Sequence, residues 1–320
     1  MNEIASSVTS FLSRNDTIAM IELFKAILLG AVQGITEFLP VSSTGHLILF
    51  ERLFGVSQET YGLTFDAALH LGTLVAVLWF FKKEWKQLFR ASYSVILNLF
   101  QDLINKKLKF STDSRRSLSR ASTRGGNDKL VVILLVGTFP AVLFGLLLED
   151  LVNTALRAPI LIAAALILFS FVLIYVELAS WKIKLISQLK FLDGLIIGTA
   201  QAVAFIPGVS RSGITMAAGL WRGLTREQSA RFAFLLSAPI IAGAGGKKLW
   251  DIIKLTLSGQ LTTSEQLFFI VGMVSAACFG YLTIKYFLKF ISKHTLWPFI
   301  AYRIMLGLFI IILSLSGLTG

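Results

Sequence analysis

Four apolar runs, Val131–Leu148, Ile160–Val176, Leu267–Phe290 and Trp297–Ser316, dominate what this chain can become. Each approaches the roughly 20 residues that a helix needs to cross a hydrocarbon layer about 30 Å thick. Backbone polar groups in lipid must be satisfied internally, so runs of this kind specify helices packed side by side. The expected fold is all-α and polytopic, one membrane domain over residues 1–320. A mean hydropathy of +0.75 removes the competing picture of two soluble domains. The first 17 residues are polar and lack the charged, apolar and cleavage-site order of a signal peptide, so the whole chain is expected to insert.

Against that background the stretch GAVQGITEFLPVSSTGHLIL, residues 30–49, is anomalous. Polar groups persist inside a bilayer when they have partners or a function. Here Gln33, Thr36, Glu37, Ser42, Ser43, Thr44 and His46 fall within fourteen residues, and Gly34, Pro40 and Gly45 interrupt the helix among them. A second stretch, GTAQAVAFIPGVSRSG at 198–213, repeats the pattern: Gly30/Gly198, Gln33/Gln201, Phe38/Phe205, Pro40/Pro207, Ser42/Ser210 and Gly45/Gly213 correspond. The chain therefore reads as two pseudo-repeats, about 18–179 and about 191–317. Such halves commonly have inverted topology, with Pro/Gly-broken, re-entrant helices meeting near the bilayer midplane. The first stretch would bring Glu37 and His46 to that meeting point, and the second would bring Arg211.

The net charge of +12 raises the question of nucleic acid, but the positive residues lie between the apolar runs. The densest set occupies residues 82–129, with twelve Lys and Arg against four acidic residues. By the positive-inside rule this insert is cytoplasmic, and no nucleic-acid partner is expected. Within it, 111–127 has a disordered composition and Ala91–Leu103 could lie on the membrane as an interfacial helix. The single cysteine, Cys278, excludes an internal disulfide, and three histidines without ligand spacing argue against structural zinc.

The polar residues of the two stretches suit a phosphorylated ligand. Arg211 presents a planar donor fork that matches phosphate oxygens, and Ser42, Thr44, Ser210, Ser212 and Thr215 add candidate phosphate donors. Gln33 and Glu37, four residues apart, share a helix face and offer oxygens to Mg²⁺ or Ca²⁺. His46 is a candidate general acid or base; Ser43 or Ser42 could attack phosphorus or simply bind it. Together these parts describe phosphoryl transfer or hydrolysis. Each has an ordinary alternative: a helix cap for Ser42, Ser43 and Thr44, a packing role for His46, and a structural ion pair for Glu37. His70, four residues after Asp66, reads as an interhelical hydrogen-bonding residue, and Glu177 and His294 read as surface residues.

These motifs resemble the undecaprenyl-diphosphate phosphatase family of the BacA type. Its (E/Q)xxxE helix running into a PVSSTGH loop is matched by Gln33–Glu37 and Pro40–His46, and its PGxSRSxxT loop by Pro207–Thr215. The resemblance extends through DAALHLGTLVAV, the Pro140 segment and WPFIAYR, nearly the whole chain. It implies a multi-pass enzyme of the bacterial plasma membrane that removes the terminal phosphate of undecaprenyl diphosphate, recycling the lipid carrier for peptidoglycan and other wall polymers. It further implies a divalent-cation requirement, bacitracin resistance on overproduction, and a site open to the extracytoplasmic side. Glu37, Ser43, His46 and Arg211 are its expected essential residues. Gln33 stands where many relatives have glutamate, which makes metal ligation there tentative, and the 82–129 insert looks long for the family. A homo-oligomer is left open. The competing reading is a polyprenyl-phosphate transporter or flippase, because broken helices at the midplane are also transporter architecture. A PSGH-type lipid phosphatase would need a further histidine after Arg211, and SGITMAAG contains none.

Overall fold

The computed structural model describes residues 2–56, 62–93, 126–154 and 158–316. In order they form α1 (Asn2–Phe38), α2 (Ser43–Leu53), α3 (Gly62–Phe80), α4 (Lys82–Tyr93), α5 (Gly126–Thr154), α6 (Pro159–Ala179), α7 (Phe191–Val203), α8 (Arg211–Trp221), α9 (Arg226–Leu257), α10 (Thr263–Ile291) and α11 (Trp297–Leu315). Five of these, α5, α6, α9, α10 and α11, are long and apolar enough to cross a membrane, or six spans if α3 and α4 count as one bent unit. The protein is an all-α, polytopic membrane protein. Of the basic insert, only residues 82–93 and 126–129 are described. The segment 111–127 lies almost wholly outside the described residues, and so does the interfacial helix expected at Ala91–Leu103 beyond Tyr93. The described part, α4, meets α3 at a bend of 86°.

Lipid-facing and protein-facing surfaces follow from the same apolar sequence. Leu135, Phe139, Leu168, Phe171 and Ile312 are each about 60% exposed, an arrangement stable only where hydrocarbon replaces water. Inward, Phe38, Phe232, Phe234, Ile284 and Phe287 fill the main core, and Phe38 meets Phe234 edge to face at 5.2 Å. A second cluster of Leu29, Phe65, Leu69, Phe268 and Ala276 joins α1, α3 and α10. The helix α1 lies so close to α10 that a Cβ on Gly34 would come within 2.7 Å of both the Ala276 carbonyl and the Gly280 nitrogen. Small residues permit this approach, and it fixes the neighbouring Gln33 and Glu37 in depth.

The helices α2 and α8 have 11 residues each, about 16 Å at the helical rise, too short to cross the bilayer alone. Turns at 39–42 and 204–210 lead into them. Both turns end on a left-handed serine: Ser42 and Ser210 each have φ of 74°. Each serine then caps the following helix, Ser42 Oγ accepting from Gly45 N at 3.4 Å and Ser210 Oγ from Gly213 N at 3.1 Å. Ser212 Oγ donates to the Leu39 carbonyl at 2.9 Å, tying one turn to the other.

Glu177 requires a correction. It is not a surface residue but 5% exposed, because the start of α9 returns to the end of α6 and Arg226 Nε donates to its carboxylate at 2.9 Å. His294 is exposed as expected, stacked on Phe290 with ring centres 4.4 Å apart.

Candidate active site

The two turns open onto one cavity of about 580 Å³. Its walls are largely apolar, formed by residues such as Ala141, Val142, Leu146, Phe205 and Ile241, and its polar groups come from the two broken stretches. Glu37, Ser42, Ser43 and Thr44 line it from the first, and Gln201, Ser210 and Arg211 from the second.

Glu37 organises this polar end. It closes α1 with 6% exposure, and its Oε2 accepts from Ser43 Oγ at 2.7 Å and from Gln33 Nε2 at 2.9 Å. Its Oε1 is ion-paired with Arg211 Nη2, which arrives from the first residue of α8. The carboxylate is thus buried with a compensating cation and a hydrogen-bonded hydroxyl, as a charge at this depth demands. The arrangement sets a hydroxyl hydrogen-bonded to a carboxylate opposite a planar guanidinium fork, a donor and acceptor set chemically suited to a phosphate. The left-handed Ser42 turn makes it possible: α2 restarts at once, so Ser43 faces back towards the end of α1.

The remaining candidates divide. Ser42 and Ser210 line the cavity while serving as helix caps, and Thr44 lines it. Ser212 and Thr215 are not among the lining residues. Ser212 bridges to Leu39, and Thr215 Oγ1 donates to the Arg211 carbonyl of its own helix at 2.6 Å, so both hold the second turn in shape. Gln33 is fully buried behind Glu37, its Nε2 committed to the carboxylate and its Oε1 without a hydrogen-bond partner.

His46 is turned away from the cavity lining. Its Nδ1 lies 2.7 Å from the Ser42 carbonyl and its Nε2 lies 2.7 Å from the Tyr302 hydroxyl. A carbonyl only accepts, so Nδ1 carries a proton and Nε2 of a neutral ring accepts from Tyr302. The histidine beside Glu37 is instead His70, whose Nε2 is 3.6 Å from Glu37 Oε2. Its Nδ1 is oriented by the Asp66 carbonyl at 2.7 Å, a bond within α3 rather than the interhelical bond expected from the sequence. Asp66, His70 and Gln201 therefore join the cavity without having been proposed for it. Two polar residues four apart on the apolar α3 were the available signal for the first two. For Gln201 it was its correspondence with Gln33.

The family model for bacitracin resistance protein BacA matches residues 26–309. The chain belongs to the BacA family. Three BacA-family relatives show how far the likeness extends. A protein of Rubrobacter xylanophilus is 41% identical over 90% of this chain and 97% of its own length. One of Desulforudis audaxviator is 42% identical over 91% of this chain and 98% of its own, and one of Methanosphaera stadtmanae 39% over 92% and 99%. All three are named undecaprenyl-diphosphatase.

Proposed function

We propose that the protein is an integral-membrane hydrolase that removes the terminal phosphate of undecaprenyl diphosphate, releasing undecaprenyl phosphate for reuse in wall synthesis. The observation that carries this reading is the placement of Ser43, Glu37 and Arg211 on two distant turns around one cavity. The relatives' shared name agrees with it, and the apolar walls suit the first units of a polyprenyl tail.

Arg211 binds the terminal phosphate with the two-donor edge of its guanidinium, exchanging its contact with Glu37 for phosphate oxygens. Glu37, released from that pair, takes the proton of Ser43 Oγ as this oxygen attacks phosphorus. The bond from phosphorus to the bridging oxygen breaks and undecaprenyl phosphate departs. Glu37 passes its proton to the departing undecaprenyl phosphate, then takes one from the water that attacks the phosphoserine, and this proton returns to Ser43 Oγ as the phosphorus–Oγ bond breaks and inorganic phosphate leaves. Serine attack is favoured over direct attack by water because the Ser43–Glu37 hydrogen bond is already formed.

A divalent cation fits this site if it is shared with the substrate. Among the described residues there is no cluster of three or more His, Cys, Asp or Glu that could hold an ion alone. The carboxylates of Glu37 and Asp66 line the cavity, and Gln33 Oε1 is a buried oxygen lacking a hydrogen-bond partner. Mg²⁺ or Ca²⁺ needs only one or two carboxylates when phosphates complete its shell. Bound there, it would neutralise diphosphate charge.

The proposed setting is the bacterial plasma membrane, with the two turns related by an inverted repeat and the cavity opening to the extracytoplasmic side. The matched left-handed caps at Ser42 and Ser210 support the repeat. The deciding experiment is phosphate release from a long-chain polyprenyl diphosphate by purified protein, with and without EDTA. Release that falls with chelator supports the reading. Absence of release, with passage of a labelled lipid across vesicles, supports the transporter.

A further inference from the structure

Arg303 is 0% exposed on α11, a helix that contributes no residue to the cavity lining. A guanidinium inside a membrane bundle is costly to bury and is retained where its fixed donors find acceptors. This one finds four. Nη1 donates to the Pro40 carbonyl at 3.3 Å, and Nη2 donates to the carbonyls of Gly208 at 3.0 Å and Leu166 at 3.2 Å. Nε donates to Ser170 Oγ at 3.2 Å.

The acceptors form a pattern. Pro40 lies in the first turn and Gly208 in the second, where the broken helices leave carbonyls without intrahelical partners. Leu166 and Ser170 lie on α6, a full-length span, and anchor the same guanidinium to the rigid frame. Gly208 itself has φ of 97°, and a Cβ there would come within 2.5 Å of the Ile162 carbonyl, so the second turn is pressed against α6 as well. Ser43 follows Pro40 by three residues and Arg211 follows Gly208 by three, each through a left-handed serine.

We infer that Arg303 is a positioning residue for the reaction, a brace that holds the two turns at the separation where Ser43 with Glu37 and Arg211 meet one phosphate. This rests on the hydrolytic reading given above. The guanidinium acts through the two turns and does not touch substrate. Its planar fork matters, because a point ammonium cannot reach carbonyls of both turns and α6 together.

The test compares Arg303→Lys with wild type and with Glu177→Gln, which breaks a buried ion pair outside the cavity. Arg303→Lys is expected to lower kcat on the order of ten- to hundredfold with KM within about twofold, since misplacement of reacting groups by about 1 Å has that effect. Glu177→Gln is expected to lower thermal stability while leaving kcat near wild type. Wild-type kcat in Arg303→Lys, or loss of activity in both variants in proportion to lost stability, overturns the inference. If Arg303→Lys does not fold, Ser170→Ala removes one acceptor and keeps the guanidinium; a fall of about two- to fivefold in kcat is expected, and no change counts against the brace. A readout independent of hydrolysis comes from spin labels at Leu53→Cys, the exposed far end of the helix that follows the first turn, and at Ile206→Cys, in the second turn at the cavity wall, in a Cys278→Ser background. A narrow distance distribution in wild type that broadens in the Arg303 or Ser170 variant supports the brace, even if no lipid diphosphate is hydrolysed. Identical distributions refute it.

Discussion

The imidazole of His46 and the hydroxyl of Tyr302 lie 2.7 Å apart, on the side of the first turn away from the cavity. The other ring nitrogen holds the carbonyl of Ser42, the residue in left-handed conformation that aims Ser43 at Glu37. This geometry suits His46 to shaping the turn, and mutation separates that role from proton transfer. His46→Ala is expected to reduce kcat about tenfold or more, and His46→Gln, whose amide can donate to the same carbonyl, to recover much of the loss. A proton-transferring His46 would give the opposite pattern, with Gln as inactive as Ala in a phosphate-release assay.

Glu37→Gln preserves shape but removes the carboxylate that the proposed reaction uses as base, together with the charge facing Arg211. The expected loss in kcat is on the order of 10²- to 10⁴-fold, the range general base catalysis contributes. Ser43→Ala should lose a comparable factor. Quenching wild type during turnover should yield labelled phosphoserine that Ser43→Ala lacks, and its absence from wild type would turn the mechanism to direct attack by water.

Arg211→Lys keeps the positive charge but replaces a two-donor edge with a single ammonium. A drop in kcat/KM of about a hundredfold is expected for loss of a bidentate phosphate contact, with the folded state intact by thermal denaturation. Near-normal kcat/KM in this variant would show that charge alone suffices and that the fork is not used.

His70 provides a separate check, because its Nε2 faces Glu37, its side chain is 29% exposed and it lines the cavity. His70→Gln should lower kcat about tenfold by altering the surroundings of the base while leaving the tertiary fold unchanged. Unaltered steady-state kinetics would reduce His70 to part of the wall.

Much of this arrangement is legible in the sequence because the bilayer is a demanding solvent. The apolar runs are long enough to define spans such as α6 and α11 nearly to the residue, and a carboxylate, hydroxyls and an arginine beside Pro and Gly are too costly there to be accidental. The spacing of Gln33 and Glu37 also sets their shared face. What the sequence leaves undecided is direction. His46 and His70 are both histidines within apolar segments, and nothing in the local pattern says which one turns towards Glu37.

Local sequence by itself determined that this chain is helical, membrane-embedded and broken at two polar turns, since those properties follow from hydropathy, helix length and the dihedral limits of Pro and Gly. Tertiary structure alone decided that Arg211 closes on Glu37, that His46 faces Tyr302, that Glu177 is sealed by Arg226, and that Arg303 ties Pro40 to Gly208. The reason is geometric. Each of these contacts joins residues on different helices, and their meeting depends on how closely glycine-lined helices pack and on which backbone carbonyls the turns leave unsatisfied.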